Sequence, residues 1–132
     1  MNDQNQFVFL PLGGVGEIGM NLGMYGFGPT GKKSWIVVDF GLGFARETQP
    51  GVDLIFPDIS FLESEKKNVL GIVLTHAHED HYGGLVDLWH RVGAPVFATP
   101  FTVAMLEAKL AGAPWAGKIP VTTISQNERW AL

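Results

Sequence analysis

The sequence predicts an α/β fold in which one layer of short strands packs against a layer of helices. Three observations carry the prediction: apolar stretches of strand length recur along the chain, two longer segments space their apolar residues as helices do, and Gly, Pro, Asn and Asp gather between them. A chain of 132 residues with 46% hydrophobic content can bury a core. No repeat, low-complexity segment or internal domain boundary divides it.

Taken in order, the first strand is expected over residues 6–12, around the apolar run Phe7-Val8-Phe9-Leu10. Residues 20–27 form the second, because Leu22, Met24 and Phe27 roughly alternate while the glycines among them disfavour a helix. Gly28-Pro29-Thr30-Gly31-Lys32-Lys33 is a turn by composition, and Trp35-Ile36-Val37-Val38 makes a strand over 34–39. Gly41 to Asp53 is a loop long enough to be functional or merely mobile. A short helical turn at 59–65 precedes a strand at 69–74, Val69-Leu70-Gly71-Ile72-Val73-Leu74. Helices are expected at 83–91, with Leu85, Leu88 and Trp89 on one face, and at 101–111, after Pro100, with Phe101, Met105 and Leu106 on one face. Strands at 95–98 and 120–125 complete the set. After a turn at Gln126-Asn127, Glu128-Arg129-Trp130-Ala131-Leu132 reads as the start of a further strand inside which the chain stops.

The chemistry is concentrated just past the strand at 69–74. Thr75-His76-Ala77-His78-Glu79-Asp80-His81-Tyr82-Gly83-Gly84 gathers three of the four histidines and two carboxylates into six consecutive residues. Imidazole nitrogens and a carboxylate oxygen are donors that Zn²⁺ takes at about 2.0–2.2 Å. His76 and His78 are two apart, so in extended backbone their side chains point the same way and can grip one ion. Asp80 and His81 are adjacent and must diverge as the chain bends into a helix, which presents them to a second ion; one ion with a spare ligand is the alternative. An exposed turn that happens to be rich in His and Asp is the bland reading, and the buried strand leading into the cluster counts against it. Glu79 is expected to face solvent.

His-x-His-x-Asp-His followed by Gly-Gly resembles, without a mismatch, the motif that metallo-β-lactamase-fold hydrolases carry after a central strand. Leu12-Gly13-Gly14-Val15-Gly16-Glu17-Ile18-Gly19-Met20-Asn21, then Val37-Val38-Asp39-Phe40-Gly41, then Pro57-Asp58-Ile59-Ser60-Phe61-Leu62 resemble, in that order, the beginning of the ribonuclease J family, in the β-CASP branch of that fold. The likeness runs from Phe7 to Lys109. It implies a metallo-β-lactamase-like αββα sandwich of which residues 1–132 are the N-terminal half, one α/β layer pair, with the rest of the domain and an inserted β-CASP domain absent.

The resemblance also implies a function. It points to a metal-dependent ribonuclease that hydrolyses RNA phosphodiesters, as a 5′–3′ exonuclease, an endonuclease or both, in RNA processing and decay. His76, His78, Asp80 and His81 would be the metal ligands, for two divalent ions, Zn²⁺ foremost and Mn²⁺ or Mg²⁺ as alternatives. Asp80 would also act in catalysis by orienting the attacking water, and Asp39 would support the site from behind the ligands. The family's further ligands, another His and a bridging carboxylate, would lie outside this chain, so the piece by itself is expected to be inactive and poor at holding metal. The full-length protein is expected to be a cytoplasmic homo-oligomer that acts on RNA. Two other functions compete: hydrolysis of small esters, thioesters or lactams, which would use the same histidine cluster, and a non-catalytic RNA-processing scaffold, which would be expected to have lost ligands. All four ligand positions are intact here.

One fragment of the sequence suggests a nucleotide site instead. Gly14-Val15-Gly16-Glu17-Ile18-Gly19 fits G-x-G-x-x-G after an apolar run, and Asp39 lies twenty residues past Gly19. A dinucleotide-binding turn must open a helix, whereas the residues after Gly19 alternate like a strand. The expectation is a tight turn between the first two strands whose backbone comes close to the floor of the site.

Zero cysteines exclude disulfides and thiolate ligands, leaving N and O donors for any metal. The polar start, Met1-Asn2-Asp3-Gln4-Asn5-Gln6, lacks the basic and apolar regions of a signal peptide, and no apolar run approaches the ~18 residues of a membrane span. A soluble protein with no membrane partner is expected. The formal charge of −4 offers no basic footprint for nucleic acid, which bound divalent ions would offset locally. Asp58 reads either as part of the family-like segment or as a helix cap, His90 as a surface or packed histidine, and Trp115 and Trp130 as core aromatics rather than a stacking platform.

Overall fold

Alternation of apolar and polar positions makes the strands two-faced, and pairing them leaves one face to be buried under helices. The computed structural model describes residues 4–45 and 48–132; Met1, Asn2 and Asp3, and Arg46 and Glu47 within the expected 41–53 loop, lie outside the described residues. Strands β1 (Gln6–Gly13), β2 (Leu22–Gly28) and β3 (Ser34–Val38) form an antiparallel meander, with Met24 opposite both Leu10 and Val37. No helix follows the glycine-rich turn; β2 does, as its alternation predicts. Across the expected loop, β4 (Gly43–Phe44) and β5 (Leu54–Ile55) pair into a separate two-stranded ribbon.

Helix α1 (Ser60–Ser64) and a 3-10 turn at Lys66–Asn68 lead into β6 (Val69–Val73), which lies parallel to β3. Two short helices, α2 (Glu79–Tyr82) and α3 (Leu85–Leu88), and a 3-10 turn at Trp89–Arg91 connect to β7 (Val96–Ala98); α4 (Pro100–Leu110) then returns the chain to β8 (Val121–Thr123). The six-stranded sheet runs β1-β2-β3-β6-β7-β8, its second half parallel.

Leu22, Met24, Trp35, Val37, Ile72, Val96 and Ala98 from the sheet cluster with Leu62, Leu85, Leu106 and Leu110 from the helices in a single core. The strands' other face is mostly uncovered: Phe7, Phe9, Tyr25 and Phe27 are all exposed, and Phe9 packs its ring 4.9 Å from that of Tyr25. Such a face agrees with one layer pair of a larger sandwich.

Three elements depart from expectation. Of the helix expected at 83–91 only α3 is α-helical, followed by the 3-10 turn at Trp89–Arg91; ahead of it α2 cannot run on into α3, because Asp80 O accepts from Asn21 N and His81 O from Phe40 N, while Gly84 N donates to Phe40 O. In α4 the buried residues are Thr102, Leu106 and Leu110, one every four, so Phe101 and Met105 fall off that face and are 70% and 41% exposed. Residues 128–132 form no strand; instead Trp130 stacks on Phe97, ring centroids 4.9 Å apart.

Candidate metal centre

The site lies where parallel strands β3 and β6 end, the edge at which open α/β sheets place functional loops. Asp39 follows β3 and keeps its ladder going, donating its N–H to Val73 O at 2.8 Å. Its backbone then turns into the left-handed region, φ 63°, which Asp tolerates better than most residues at a cost of order 1 kcal/mol. Its buried carboxylate accepts from Thr75 N at 2.8 Å, from Thr75 Oγ1 at 2.8 Å and from His81 Nδ1 at 2.8 Å.

These bonds fix protons by elimination. A carboxylate can only accept, so in the neutral His81 ring Nδ1 carries the hydrogen and Nε2 keeps its lone pair. Thr75 has one hydroxyl hydrogen, which goes to Asp39; His76 Nδ1, 2.9 Å from Thr75 Oγ1, is therefore the donor of that pair, and its Nε2 is likewise the acceptor nitrogen.

The histidines converge. The His76 ring lies 4.5 Å from that of His78 and 4.0 Å from that of His81, centroid to centroid. Asp80 and His81, expected to diverge, bring their tips together instead, with His81 Nε2 3.6 Å from Asp80 Oδ2. Asp39 holds one edge of the imidazole, and the Asn21 amide touches both tips, 3.4 Å from Asp80 Oδ2 and 3.3 Å from His81 Nε2. Glu79 does not simply face solvent: it pairs with Lys109 Nζ of α4 at 2.7 Å. Among the described residues, no three His, Asp or Glu side chains close on a common point as a finished ligand cage. The donor set nevertheless fits divalent metal in its chemistry: acceptor nitrogens on His76 and His81, a half-exposed carboxylate on Asp80 and an exposed His78 share one rim.

Backbone bonds lock the motif from the other side. Asn21 N donates to Asp80 O at 2.9 Å, Phe40 N to His81 O at 2.7 Å and Leu42 N to Glu79 O at 3.1 Å. The approach is close enough that a Cβ on Gly41 would fall 1.9 Å from Asp80 O. An open cleft of about 570 Å³ adjoins this rim, walled by Ile18, Leu42, Phe44 and Ala77 on its apolar side and by His78, Glu79 and Asp80 on the other. Asn21 and Thr75 were not singled out by sequence reasoning. Thr75 had a signal, its place directly before the first histidine, whereas Asn21 had only its place in the family-like glycine segment.

Tyr82 and Asp58 have displaced titration. Burial, and then the Glu79 carboxylate, raises the pKa of the Tyr82 phenol. Asp58 is held below the usual carboxylate value by the Ser60 hydroxyl and backbone N–H, an Asx-type turn into α1 rather than a cap from the N-cap position, which Ile59 occupies. His90 is on the surface, stacked on Trp115 at 4.6 Å. Among the described residues no helix is long and apolar enough to cross a membrane.

The sequence profile of the metallo-beta-lactamase superfamily matches residues 28–127, which include Asp39 and the whole His-Asp motif. The chain belongs to the metallo-β-lactamase superfamily. Membership implies divalent metal ions and explains why a parallel sheet edge carries so many imidazoles. Among similar proteins, ribonuclease J of Sinorhizobium meliloti is 54% identical over 129 residues, spanning 98% of this chain and 23% of the relative. Ribonuclease J of Helicobacter pylori strain 26695 is 38% identical over 109 residues, 83% of this chain and 15% of the relative, and that of Thermus thermophilus is 37% identical over 112 residues, 81% and 19%. The chain thus spans less than a quarter of the length of each of these relatives, 23% at most.

Proposed function

We propose that this metallo-β-lactamase-type chain carries one side of a metal centre that hydrolyses RNA phosphodiesters. The carrying observation is the convergence of the His76, His78 and His81 rings with the Asp80 carboxylate at one sheet edge, with Asp39 fixing the His81 ring from behind. The likeness to ribonucleases J over 98% of the chain supports RNA as substrate. His76, His78, Asp80 and His81 would hold the metal, as two divalent ions with Zn²⁺ foremost. Such ions, when bound, bring the pKa of a coordinated water toward neutrality and stabilise negative charge on phosphate oxygens.

The chain's own residues do the rest. Asp39 and Thr75 set the tautomers of His81 and His76 so that each of these two rings offers a lone pair, and Asp80 orients the attacking water through its carboxylate. The cleft beside His78 and Asp80 is the space in which the scissile linkage would lie. Further ligands would come from the remainder of a larger domain, of which this chain is the N-terminal part, within a cytoplasmic homo-oligomer. The test is metal content and cleavage of RNA by the full-length protein. Two ions per chain and RNA cleavage lost in His78→Ala is the expected result. A loaded protein that leaves RNA intact but hydrolyses small esters or lactams would sink the ribonuclease reading and leave the superfamily standing.

A further inference from the structure

The glycine-rich segment before β2 resembles a nucleotide loop and binds none of the motif's ligating atoms itself, yet it delivers one side chain into the centre. Asn21 is fastened from several directions. Its backbone N–H donates to Asp80 O at 2.9 Å, its carbonyl accepts from Gly41 N at 2.9 Å, and its amide Nδ2 donates to the same Asp80 O at 2.9 Å. Because a carbonyl can only accept, that last bond fixes which way the amide points: Nδ2 faces the motif and Oδ1 faces Gly14. Gly14 forms the seat, with φ +87° and so little space that a Cβ there would fall 2.4 Å from Asn21 Oδ1. The second amide hydrogen lies between Asp80 Oδ2 at 3.4 Å and His81 Nε2 at 3.3 Å, the two atoms proposed above as metal ligands.

We infer that Asn21 is a positioning residue for the metal centre, holding the Asp80–His81 pair in place through its amide, and that the glycine turn exists to seat it. The inference rests on the metal-centre reading. The short bonds to Asp80 O anchor the main chain at the motif; the two long ones hold the ligand tips and are weak enough to yield to a cation. An amide in this place supplies donors, so its value lies in orientation rather than in charge.

The test is titration of the full-length protein with Co²⁺, read by calorimetry and by the visible spectrum of the bound ion, on wild type, Asn21→Ala and Asn21→Asp, with melting of the unloaded proteins as the control for folding. Asn21→Ala is expected to weaken Co²⁺ binding about tenfold and to change the spectrum. Asn21→Asp keeps the shape but sets an acceptor against the Asp80 carbonyl, so binding weakens there too, despite the added charge. Should Asn21→Ala destabilise the fold, the isosteric Asn21→Asp decides alone. Tighter binding in Asn21→Asp would make the residue a ligand and overturn the inference, as would wild-type affinity and spectrum in both variants. A wild type that takes up no Co²⁺ would sink the metal-centre reading itself.

Discussion

Replacing Asp39 by Asn tests how the site is tuned without changing its shape. Asn is among the few residues that accept φ near +60°, so the backbone conformation at φ 63° survives. Asn Oδ1 can still accept from Thr75 N and Oγ1, but its NH₂ then faces His81 Nδ1, now 2.8 Å from a carboxylate oxygen. Donor against donor forces the His81 hydrogen onto Nε2, the nitrogen that a metal ligand needs free. Losing one hydrogen bond to a charged group costs roughly 1.5–3 kcal/mol. At about 3–4 °C per kcal/mol for a chain of this size, the melting temperature should fall by roughly 5–12 °C. Loss of such a supporting partner should weaken divalent-ion binding by about 10–100-fold. The assays are thermal melts without metal, ion titration by calorimetry, and ¹⁵N NMR of the His81 ring, whose shifts report the tautomer. An unchanged tautomer together with ion affinity within about twofold would refute the reasoning, since the effect must pass through that nitrogen.

Two further perturbations probe the frame around the site. Gly41→Ala places a methyl 1.9 Å from the Asp80 carbonyl and 2.9 Å from Asn21 N, backbone atoms that cannot swing aside, and should cost about 1–3 kcal/mol and loosen ion binding; an unshifted denaturant midpoint would contradict it. For Tyr82 the folded pKa is raised above its unfolded value near 10.0, so its contribution to stability is fully present below that value and is lost as pH rises through the folded pKa. Tyr82→Phe should therefore flatten the decline in urea midpoint as pH rises above about 10, and an equally steep decline in the variant would exclude this phenol as the cause.

The sheet was legible in the sequence because its strands alternate over enough residues to reveal their faces, as in Leu22-Gly23-Met24-Tyr25. The β4–β5 ribbon was not, since two residues per strand carry no period and Gly43 meets its partner Ile55 only through the fold. The gap between α2 and α3 was invisible for a similar reason: the competing donors, Asn21 and Phe40, lie far away in the chain. Phe101 and Met105 were placed on the wrong face of α4 because apolar residues lie all round that helix, leaving its phase to be set by packing. At the candidate site, the spacing of His76, His78 and His81 announced a cluster, and the strand end announced Asp39. Asn21 and Gly41 acquire meaning only when the chain brings them to Asp80, 59 residues beyond Asn21.

That separation has a consequence for the order in which a ribosome could complete this region. The hairpin of β1 and β2 and its extension to β3 need only local contacts and can pair as soon as Val38 emerges. Phe40, Leu42 and Asn21 must then wait, their N–H groups without lasting acceptors, until residues 79–81 have been synthesised and can dock on them. At about 5–20 residues per second the delay lasts several seconds, during which β3 also presents an open edge where β6 will later sit. A nascent chain short of residue 81 therefore has no site, because the acceptors for Asn21, Phe40 and Leu42 have not yet been made. The histidine cluster can take its place only once the motif is made and closes over Gly41 and Asn21.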